Sequence, residues 1–216
     1  MVDGIFISFE GGEGAGKTTQ VKLLKKSLMA IGINVVDTRE PGGSSEAEMV
    51  RELLVSGPLE RWDPFSEAML HFVARRSHIN TLIKPALDRG DWVICDRFSD
   101  STIAYQGFGQ GVAHEKLEIL RELSIEKFAP DMTFILDIPA ETGLKRAALR
   151  KGAESRYEKM DIGMHQRLRE GFLTIAKNDP ERIKIIDATQ TIQNIAEKIC
   201  KEISFNFNLP KLSSLP

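Results

Sequence analysis

The stretch "FEGGEGAGKTTQ", residues 9 to 20, limits more than any other what this chain can fold into. It contains the pattern G-x-x-x-x-G-K-[ST] from Gly11 to Thr18, after the apolar run "IFISFE" and before a segment with helical spacing. Glycines let successive backbone N–H groups turn toward the same phosphate oxygens, and a helix N-terminus adds a favourable dipole. This context predicts an α/β domain that binds a nucleoside triphosphate on the loop.

Five short apolar runs predict the strands of that domain. They cover residues 5–10, 33–40, 92–97, 132–137 and 183–187, and their continuous apolar character is typical of buried parallel strands. Helical spacing between them begins at Thr18, Glu46, Pro64, Ala113, Ala140, Glu158 and Thr191. We therefore expect a P-loop NTPase fold, with a five-stranded parallel sheet flanked by helices, as one domain over residues 1–205. Residues 206–216 look like a loose C-terminal tail.

Charge and cysteine content narrow the class of partner. The 29 basic and 31 acidic side chains nearly cancel, so no global field attracts nucleic acid or an anionic membrane. No apolar run is long enough to cross a bilayer, and no signal segment opens the chain. Cys95 and Cys200 have no metal-ligand spacing around them and are expected to be free thiols. These features predict a cytoplasmic protein with no nucleic-acid or membrane partner.

The loop pattern assigns roles to its own residues. Lys17 is expected to bridge the β- and γ-phosphates, and Thr18 to ligate Mg²⁺. The residues expected to contact ATP are Gly11, Gly12, Glu13, Gly14, Ala15, Gly16, Lys17, Thr18 and Thr19. Neither an N-K-x-D run nor a D-x-x-G run is present, which disfavours a GTPase switch.

Transfer of the γ-phosphoryl group to a second anionic substrate needs further cations. Two unit charges about 4 Å apart repel by about 4 kcal/mol at an effective dielectric constant near 20. Arginines follow the predicted strands or lie on the loops, at positions 39, 51, 97, 146, 150 and 156. The chain therefore carries the cations that such a transfer requires.

Five runs together are similar to the thymidylate kinase family. They are "FEGGEGAGKTTQ", "TREPGG" (38–43), "FVARR" (72–76), "DRFSDSTIAYQG" (96–107) and the arginine-rich segment 146–160. The resemblance implies a nucleoside monophosphate kinase-like fold with a short lid over about 146–158. It also implies transfer of the γ-phosphoryl group from Mg·ATP to dTMP, giving dTDP and ADP for dTTP synthesis, and a homodimer.

The resemblance also implies the residues that bind dTMP. Glu13 matches a carboxylate that hydrogen-bonds the sugar 3'-hydroxyl, which explains an acidic residue inside a phosphate loop. Phe72 matches a ring that stacks on thymine, and Arg76 an arginine that hydrogen-bonds a base carbonyl. Tyr105 matches the ring beneath the deoxyribose. The whole expected set is Glu13, Arg51, Phe72, Arg76, Arg97, Thr102, Tyr105 and Gln106.

Catalytic roles carry over in the same way. Asp96 matches the carboxylate near the metal, and is expected to act with Thr18. Arg97 and Arg51 are expected to hold the acceptor phosphate with planar forks. Members of the family place a catalytic arginine either in the phosphate loop or in the lid. This loop has none at its variable positions, so the resemblance implies that the lid supplies it.

Arg156 is the first choice for that lid arginine, and Arg150, also expected at ATP, the second. The expected catalytic set is Lys17, Asp96, Arg97 and Arg156. An acceptor phosphate is already largely ionised near neutral pH, so positioning and charge neutralisation carry the reaction without a general base.

Two other functions remain open from the sequence. One is a different nucleoside monophosphate kinase, which would share the loop and lid but lack the "AYQG" run. The other is a protein that binds a nucleoside triphosphate without consuming it. Single residues also have plainer interpretations, because Phe72 could be a core residue and Asp96 with Arg97 a structural ion pair.

Overall fold

A computed structural model of the chain describes residues 4–149 and 156–213. Its described residues form one five-stranded parallel sheet in the order β2-β3-β1-β4-β5. The strands are β1 (Phe6–Glu10), β2 (Val35–Arg39), β3 (Trp92–Asp96), β4 (Met132–Asp137) and β5 (Ile183–Asp187). The predicted parallel sheet is confirmed, and each strand lies within its predicted run.

The burial of each strand follows from its place in the sheet. The central strand β1 is buried along its whole length, whereas the edge strands β2 and β5 are partly exposed. From β1 the neighbouring strands are β3 on one side and β4 on the other, with Phe9 paired to both Asp96 and Phe134. In an open sheet of this kind the ligand crevice lies at the carboxyl end of the strand where the order switches, here β1.

Helices cover both faces of the sheet. They are α1 (Lys17–Met29), α2 (Ser45–Val55), α3 (Pro64–His78), α4 (Lys84–Asp88), α5 (Ser99–Thr102), α6 (His114–Ile125), α7 (Ala140–Ala148), α8 (Ile162–Asn178) and α9 (Ile192–Asn206). A π-helical turn, Ile79–Ile83, joins α3 to α4, and a second, Ile103–Gly109, extends α5. Short 3₁₀ turns occur at Leu59–Arg61 and Arg156–Lys159.

Local sequence signals explain where the longer helices begin. Asp63 accepts hydrogen bonds from the backbone N–H groups of Phe65 and Ser66, and a proline follows it at the first position of α3. Asp161 caps α8 and Thr191 caps α9 through the same kind of contact. These caps satisfy N–H groups that the first helical turn leaves without partners.

The helical segment over residues 99–109 was not predicted. Its second half is π-helical and contains Gly107 and Gly109, so it lacks the 3.6-residue periodicity that marks an α-helix. It packs closely on α8, where a Cβ on Gly171 would lie 2.6 Å from the Phe108 ring. The segment is therefore packed tightly against α8.

The prediction of a loose tail is wrong for residues 207–213. The Phe207 ring meets Trp92 edge-on with centroids 5.2 Å apart, and Leu212 is buried in the core cluster that contains Leu28. Ser27 Oγ donates a hydrogen bond to the Ser213 carbonyl oxygen at 2.9 Å. The apolar residues of "FNLPKL" provide contact area that composition alone does not reveal. Residues 214–216 lie outside the described part of the chain.

Candidate active site

A cleft of about 420 Å³ opens at the carboxyl ends of β1, β2 and β3. Its walls are formed by the phosphate loop, the turns after β2 and β3, and the inward side of α3, together with Arg146, Tyr157 and Glu158. The predicted site residues that line it are Glu13, Gly14, Ala15, Gly16, Lys17, Thr18, Thr19, Arg51, Asp96, Arg97, Thr102, Tyr105 and Gln106. Gly11 and Gly12, the first two residues of the loop, instead line a much smaller cavity.

The phosphate loop has the backbone that its glycines predict. Gly14 and Gly16 have positive φ angles, 68° and 95°, and a Cβ on Gly14 would lie 1.9 Å from the Gly143 carbonyl oxygen. The Lys17 ammonium donates to the carbonyl oxygens of Gly11 at 3.0 Å and Gly12 at 2.9 Å. Burial lowers the pKa of Lys17 to about 8. An anionic phosphate in the loop would favour the charged form of this lysine.

Two oxygen atoms beside the loop suit a magnesium ion. Thr18 Oγ1 donates to Asp96 Oδ2 at 2.6 Å, which brings a hydroxyl and a carboxylate together where β1 and β3 end. Mg²⁺ prefers hard oxygen ligands and is usually bound through one or two protein oxygens together with substrate phosphates. The chemistry of this donor pair therefore fits the ion.

Glu13 is held by the residues that follow β3. Its Oε1 accepts hydrogen bonds from Arg97 Nη2 at 2.9 Å and from the Tyr105 hydroxyl at 2.7 Å. Burial opposes the charge of Arg97, but Tyr105, Glu13 and Asp96 outweigh it and raise the pKa of the guanidinium above its ordinary value. Arg97 also has a φ angle of 74°, an uncommon backbone geometry for a non-glycine residue. The acidic loop residue thus belongs to an organised cluster.

Glu10, which was not predicted as a site residue, hydrogen-bonds the turn next to this cluster. It is fully buried and accepts hydrogen bonds from the Phe98 backbone N–H at 2.7 Å and from Ser101 Oγ at 2.5 Å. Burial, with a further contribution from Asp100, raises the pKa of Glu10 to about 8. These bonds fix the turn that carries Arg97.

The prediction that Phe72 and Arg76 line the acceptor pocket is wrong by one residue. Arg76 lies outside the cleft and donates to the Ser124 carbonyl oxygen at 2.6 Å. Phe72 is buried in the core with Phe6, and the Arg75 guanidinium carbon lies 4.9 Å from its ring centroid. The inward side of α3 instead presents His71 and Arg75, which have the same four-residue spacing. Two adjacent arginines cannot be told apart by spacing alone.

Arg75 is held rigidly at the end of the cleft. Its Nε donates to Glu40 Oε2 at 2.6 Å, and its Nη2 donates to the Phe98 carbonyl oxygen and to Thr102 Oγ1. Nη1 is buried and has no partner among the described residues. Glu40 in "TREPGG" was the sequence signal that could have indicated a buried arginine at this end of the cleft, because a buried arginine requires a charged partner.

Two other aromatic groups close the same end of the cleft. The His71 Nε2 and the Tyr157 hydroxyl are hydrogen-bonded at 2.9 Å, and both residues line the cleft. Burial lowers the pKa of His71 to about 3, so its imidazole is neutral at physiological pH. The Tyr105 ring meets Tyr157 edge-on with centroids 5.4 Å apart. Neither His71 nor Tyr157 was predicted from the sequence.

Gln106 and Arg51 occupy cleft positions with defined partners. Gln106 Nε2 donates to Glu67 Oε1 at 2.7 Å, while Gln106 Oε1 is buried and lacks a partner within the described residues. Arg51 Nη1 donates to the Pro41 carbonyl oxygen at 2.6 Å. Burial lowers the pKa of Arg51.

The structure does not place Arg156 at the transferring phosphate. Its guanidinium is buried and forms an ion pair with Glu67, so it does not line the cleft. A buried acidic partner on α3 is the physical reason, since a guanidinium leaves water only where a carboxylate compensates it. Arg146 does line the cleft and donates to the Ala188 carbonyl oxygen at 2.8 Å. Arg150 lies outside the described residues.

The site combines a phosphate loop at a central strand with a crevice for a second substrate between α3 and the segment after β3, and arginines surround both. This combination defines a P-loop kinase of nucleoside monophosphates. A family model for thymidylate kinase matches residues 9–199. The chain belongs to the thymidylate kinase family. Its reaction is the transfer of the γ-phosphoryl group of ATP to dTMP, giving dTDP and ADP in dTTP synthesis.

Individual relatives agree with this family. A thymidylate kinase of Caulobacter vibrioides is 49% identical over 199 residues, covering 92% of this chain and 95% of the relative. A thymidylate kinase of Magnetococcus marinus is 45% identical over 206 residues, covering 95% and 98% of the two chains. A crystal structure of thymidylate kinase from Ehrlichia chaffeensis superposes with a TM-score of 0.74 at 38% identity, covering 93% of this chain and 99% of that one.

Proposed function

We propose that the enzyme recognises thymine through one donor and one acceptor at the end of the cleft. Arg75 Nη1 is a buried donor without a partner among the described residues, and Gln106 Oε1 is a buried acceptor in the same condition. Thymine carries a ring carbonyl next to a ring N–H, which is the complementary pair. Burying both protein groups without partners costs about 1 to 3 kcal/mol each, and a bound base removes that cost. This pair of unmatched atoms is the observation that carries the proposal.

The acceptor sugar and phosphate have candidate partners next to this pair. We assign the sugar 3'-hydroxyl to Glu13, whose carboxylate Arg97 and Tyr105 already orient. We assign the Tyr105 ring to the underside of the deoxyribose, where a ribose 2'-hydroxyl would clash with it. Arg51 and Arg97 are assigned to the acceptor phosphate, because a planar guanidinium matches phosphate oxygens.

On the donor side we propose that Mg²⁺ accompanies ATP, held by Thr18 and Asp96 together with the phosphates. Lys17 and the loop N–H groups would neutralise the β- and γ-phosphates. We propose that residues 146–158 act as a lid over a single domain of residues 1–205, with Arg146 and Arg150 as its cations toward ATP. Arg156 does not share that role, because it pairs with Glu67.

We also propose that the enzyme is a cytoplasmic homodimer without a nucleic-acid partner. Cys95 and Cys200 are free thiols, as expected in a reducing compartment. Among the described residues, no helix has the length and apolar character needed to cross a bilayer. Exposed apolar side chains on α2, α3 and α6 support a dimer through these helices.

The test is ADP release from Mg·ATP with each nucleoside monophosphate in turn. We expect the highest turnover with dTMP, weaker turnover with dUMP and almost none with ribonucleotides. A pocket for one methyl group contributes only about 1 to 3 kcal/mol, so dUMP should retain activity. Tyr105→Ala should raise activity with ribonucleotide UMP relative to dUMP. A preference for AMP, CMP or GMP would refute the thymine pocket.

A further inference from the structure

Glu67, in the first turn of α3, is a buried carboxylate that the reaction does not use. None of its surface reaches solvent. Its Oε1 accepts hydrogen bonds from Gln106 Nε2 at 2.7 Å and from Gln110 Nε2 at 3.2 Å, and its other oxygen forms the ion pair with Arg156. A carboxylate is rarely buried so completely unless its contacts offset the cost of leaving water.

The contact with Gln106 determines which way that amide faces. A side-chain amide has a donor end and an acceptor end, and rotation by about 180° exchanges them. An ionised carboxylate can only accept, so Glu67 draws the NH₂ group of Gln106 to itself. The amide oxygen is therefore the end left for the cleft, where it has no partner among the described residues.

Arg156 keeps this arrangement from reversing. A protonated Glu67 could donate a hydrogen bond and would then tolerate the opposite orientation of Gln106. The buried Arg156 guanidinium pairs with the other carboxylate oxygen, so both oxygens of Glu67 face donors. The arginine at the base of the lid thus acts on the acceptor pocket through one intervening residue.

We propose that Glu67 is a positioning residue that decides which class of pyrimidine the enzyme accepts, by presenting only the oxygen of Gln106 to the base. The proposal rests on the role of Gln106 in base recognition given above. Thymine and uracil carry an N–H at ring position 3 and can donate to that oxygen. Cytosine carries a lone pair there, so two acceptors would face each other.

The test compares kcat/KM for dTMP, dUMP and dCMP in the full-length enzyme. Glu67→Gln is made in an Arg156→Met background, since an unpaired buried guanidinium could unfold the protein. Arg156→Met alone shows what loss of the ion pair does by itself, and both variants are compared with the parent enzyme. A glutamine at position 67 can donate as well as accept, so Gln106 becomes free to rotate. We expect the dTMP-to-dCMP ratio to fall at least tenfold, while the dTMP-to-dUMP ratio stays within twofold.

A purely structural role for Glu67 would lower all three activities together and leave both ratios unchanged, and that result overturns the proposal. Glu67→Asp, which keeps an accepting carboxylate, should retain the discrimination against dCMP even if KM rises. It also serves as the informative variant should the double variant fail to fold, and loss of discrimination in it would count against the proposal.

Gln106→Met tests the role of Gln106 in base recognition separately from the role of Glu67. If this variant discriminates against dCMP as well as the parent does, Gln106 does not recognise the base, and both the pocket assignment and the role of Glu67 are refuted. If Gln106→Met loses discrimination but Glu67→Gln does not, only the role of Glu67 is refuted.

Discussion

Arg75 and Arg76 have the same side chain, yet adjacent positions on α3 send them into different surroundings. Arg75 is 1% exposed and contacts Glu40 and Thr102, while its Nη1 has no partner among the described residues. Arg76 donates to the Ser124 carbonyl oxygen at the protein surface. The difference lies in the buried acidic partner, because a guanidinium fork is held in a fixed direction only when several of its N–H groups are bound.

Substitution of each arginine by lysine tests this difference. Arg75→Lys retains a charge beside Glu40 but loses the fork, so we expect kcat/KM for dTMP to fall about 10- to 100-fold, which corresponds to about 1 to 3 kcal/mol. Arg76→Lys is the matched control and should stay within threefold of the parent. Steady-state assays with dTMP as the varied substrate give both values. Equal losses in the two variants would contradict the assignment of Arg75.

Glu10 should make stability depend on pH. Its pKa of about 8 in the folded protein lies above the ordinary value of 4.5, so the unfolded chain releases this proton first. Its contribution to stability is therefore complete below about pH 4.5 and is lost as the pH rises to about 8. The loss amounts to about 1 kcal/mol per pH unit within that window.

Glu10→Gln imitates the protonated carboxyl and should remove this dependence. Urea unfolding at pH 5.5 and 7.5 should show the variant gaining about 2 kcal/mol relative to the parent over that interval. Glu118→Gln, which changes a half-exposed carboxylate paired with Arg121, is the control and should show no such gain. A pH-independent difference between Glu10→Gln and the parent would mean that Glu10 is ionised in the folded protein.

At the scale of elements, the C-terminal segment is a structural part of the domain. Leu212 is buried against α1 and α9, whereas Phe205, seven residues earlier, is 80% exposed. Truncating a buried leucine typically costs about 2 to 5 kcal/mol, and truncating an exposed aromatic residue less than about 0.5 kcal/mol.

We expect Leu212→Ala to lower the midpoint of thermal unfolding by roughly 5 to 15 °C, using about 2 to 4 °C per kcal/mol for a chain of this size. Phe205→Ala should change it by no more than about 2 °C. Differential scanning calorimetry of both variants makes the comparison. A midpoint unchanged by Leu212→Ala would show that the segment is not docked in solution.

Some of these elements could be predicted from the sequence and others could not. The five strands could be predicted because buried parallel strands are short, continuous apolar runs. The helical segment over residues 99–109 could not, because a π-helical turn with two glycines lacks the usual periodicity. The phosphate loop carries its chemistry in adjacent residues, so its positions were predictable. The positions of Arg75, His71 and Glu67 in the site depend on which side of α3 faces inward. Sequence spacing does not determine that side to within one residue, because tertiary contacts decide it.

At the scale of the whole molecule, several large apolar side chains of the described residues are exposed on three neighbouring helices. α3 packs between α2 and α6, and the three helices expose six large apolar side chains. These residues, which we call the α2–α3–α6 patch, are Met49, Leu53, Met69, Val73, Ile119 and Leu123. Exposed apolar side chains grouped on adjacent helices are typical of an association site.

We expect the α2–α3–α6 patch to form the interface of the proposed homodimer, and a charge within it should then separate the subunits. Leu123, at 76% exposure, can be replaced without disturbing the core, so Leu123→Glu tests association apart from folding. Burying the unpaired carboxylate would cost several kcal/mol, enough to raise the dissociation constant at least 100-fold. Light scattering after size-exclusion chromatography should give twice the 24.1 kDa chain mass for the parent and a single chain mass for the variant.

Ile192→Glu places the same charge at an exposed position of α9 and should leave the dimer intact. Dissociation by both substitutions would indicate a charge effect unrelated to the patch, and dissociation by Ile192→Glu alone would move the interface to α9.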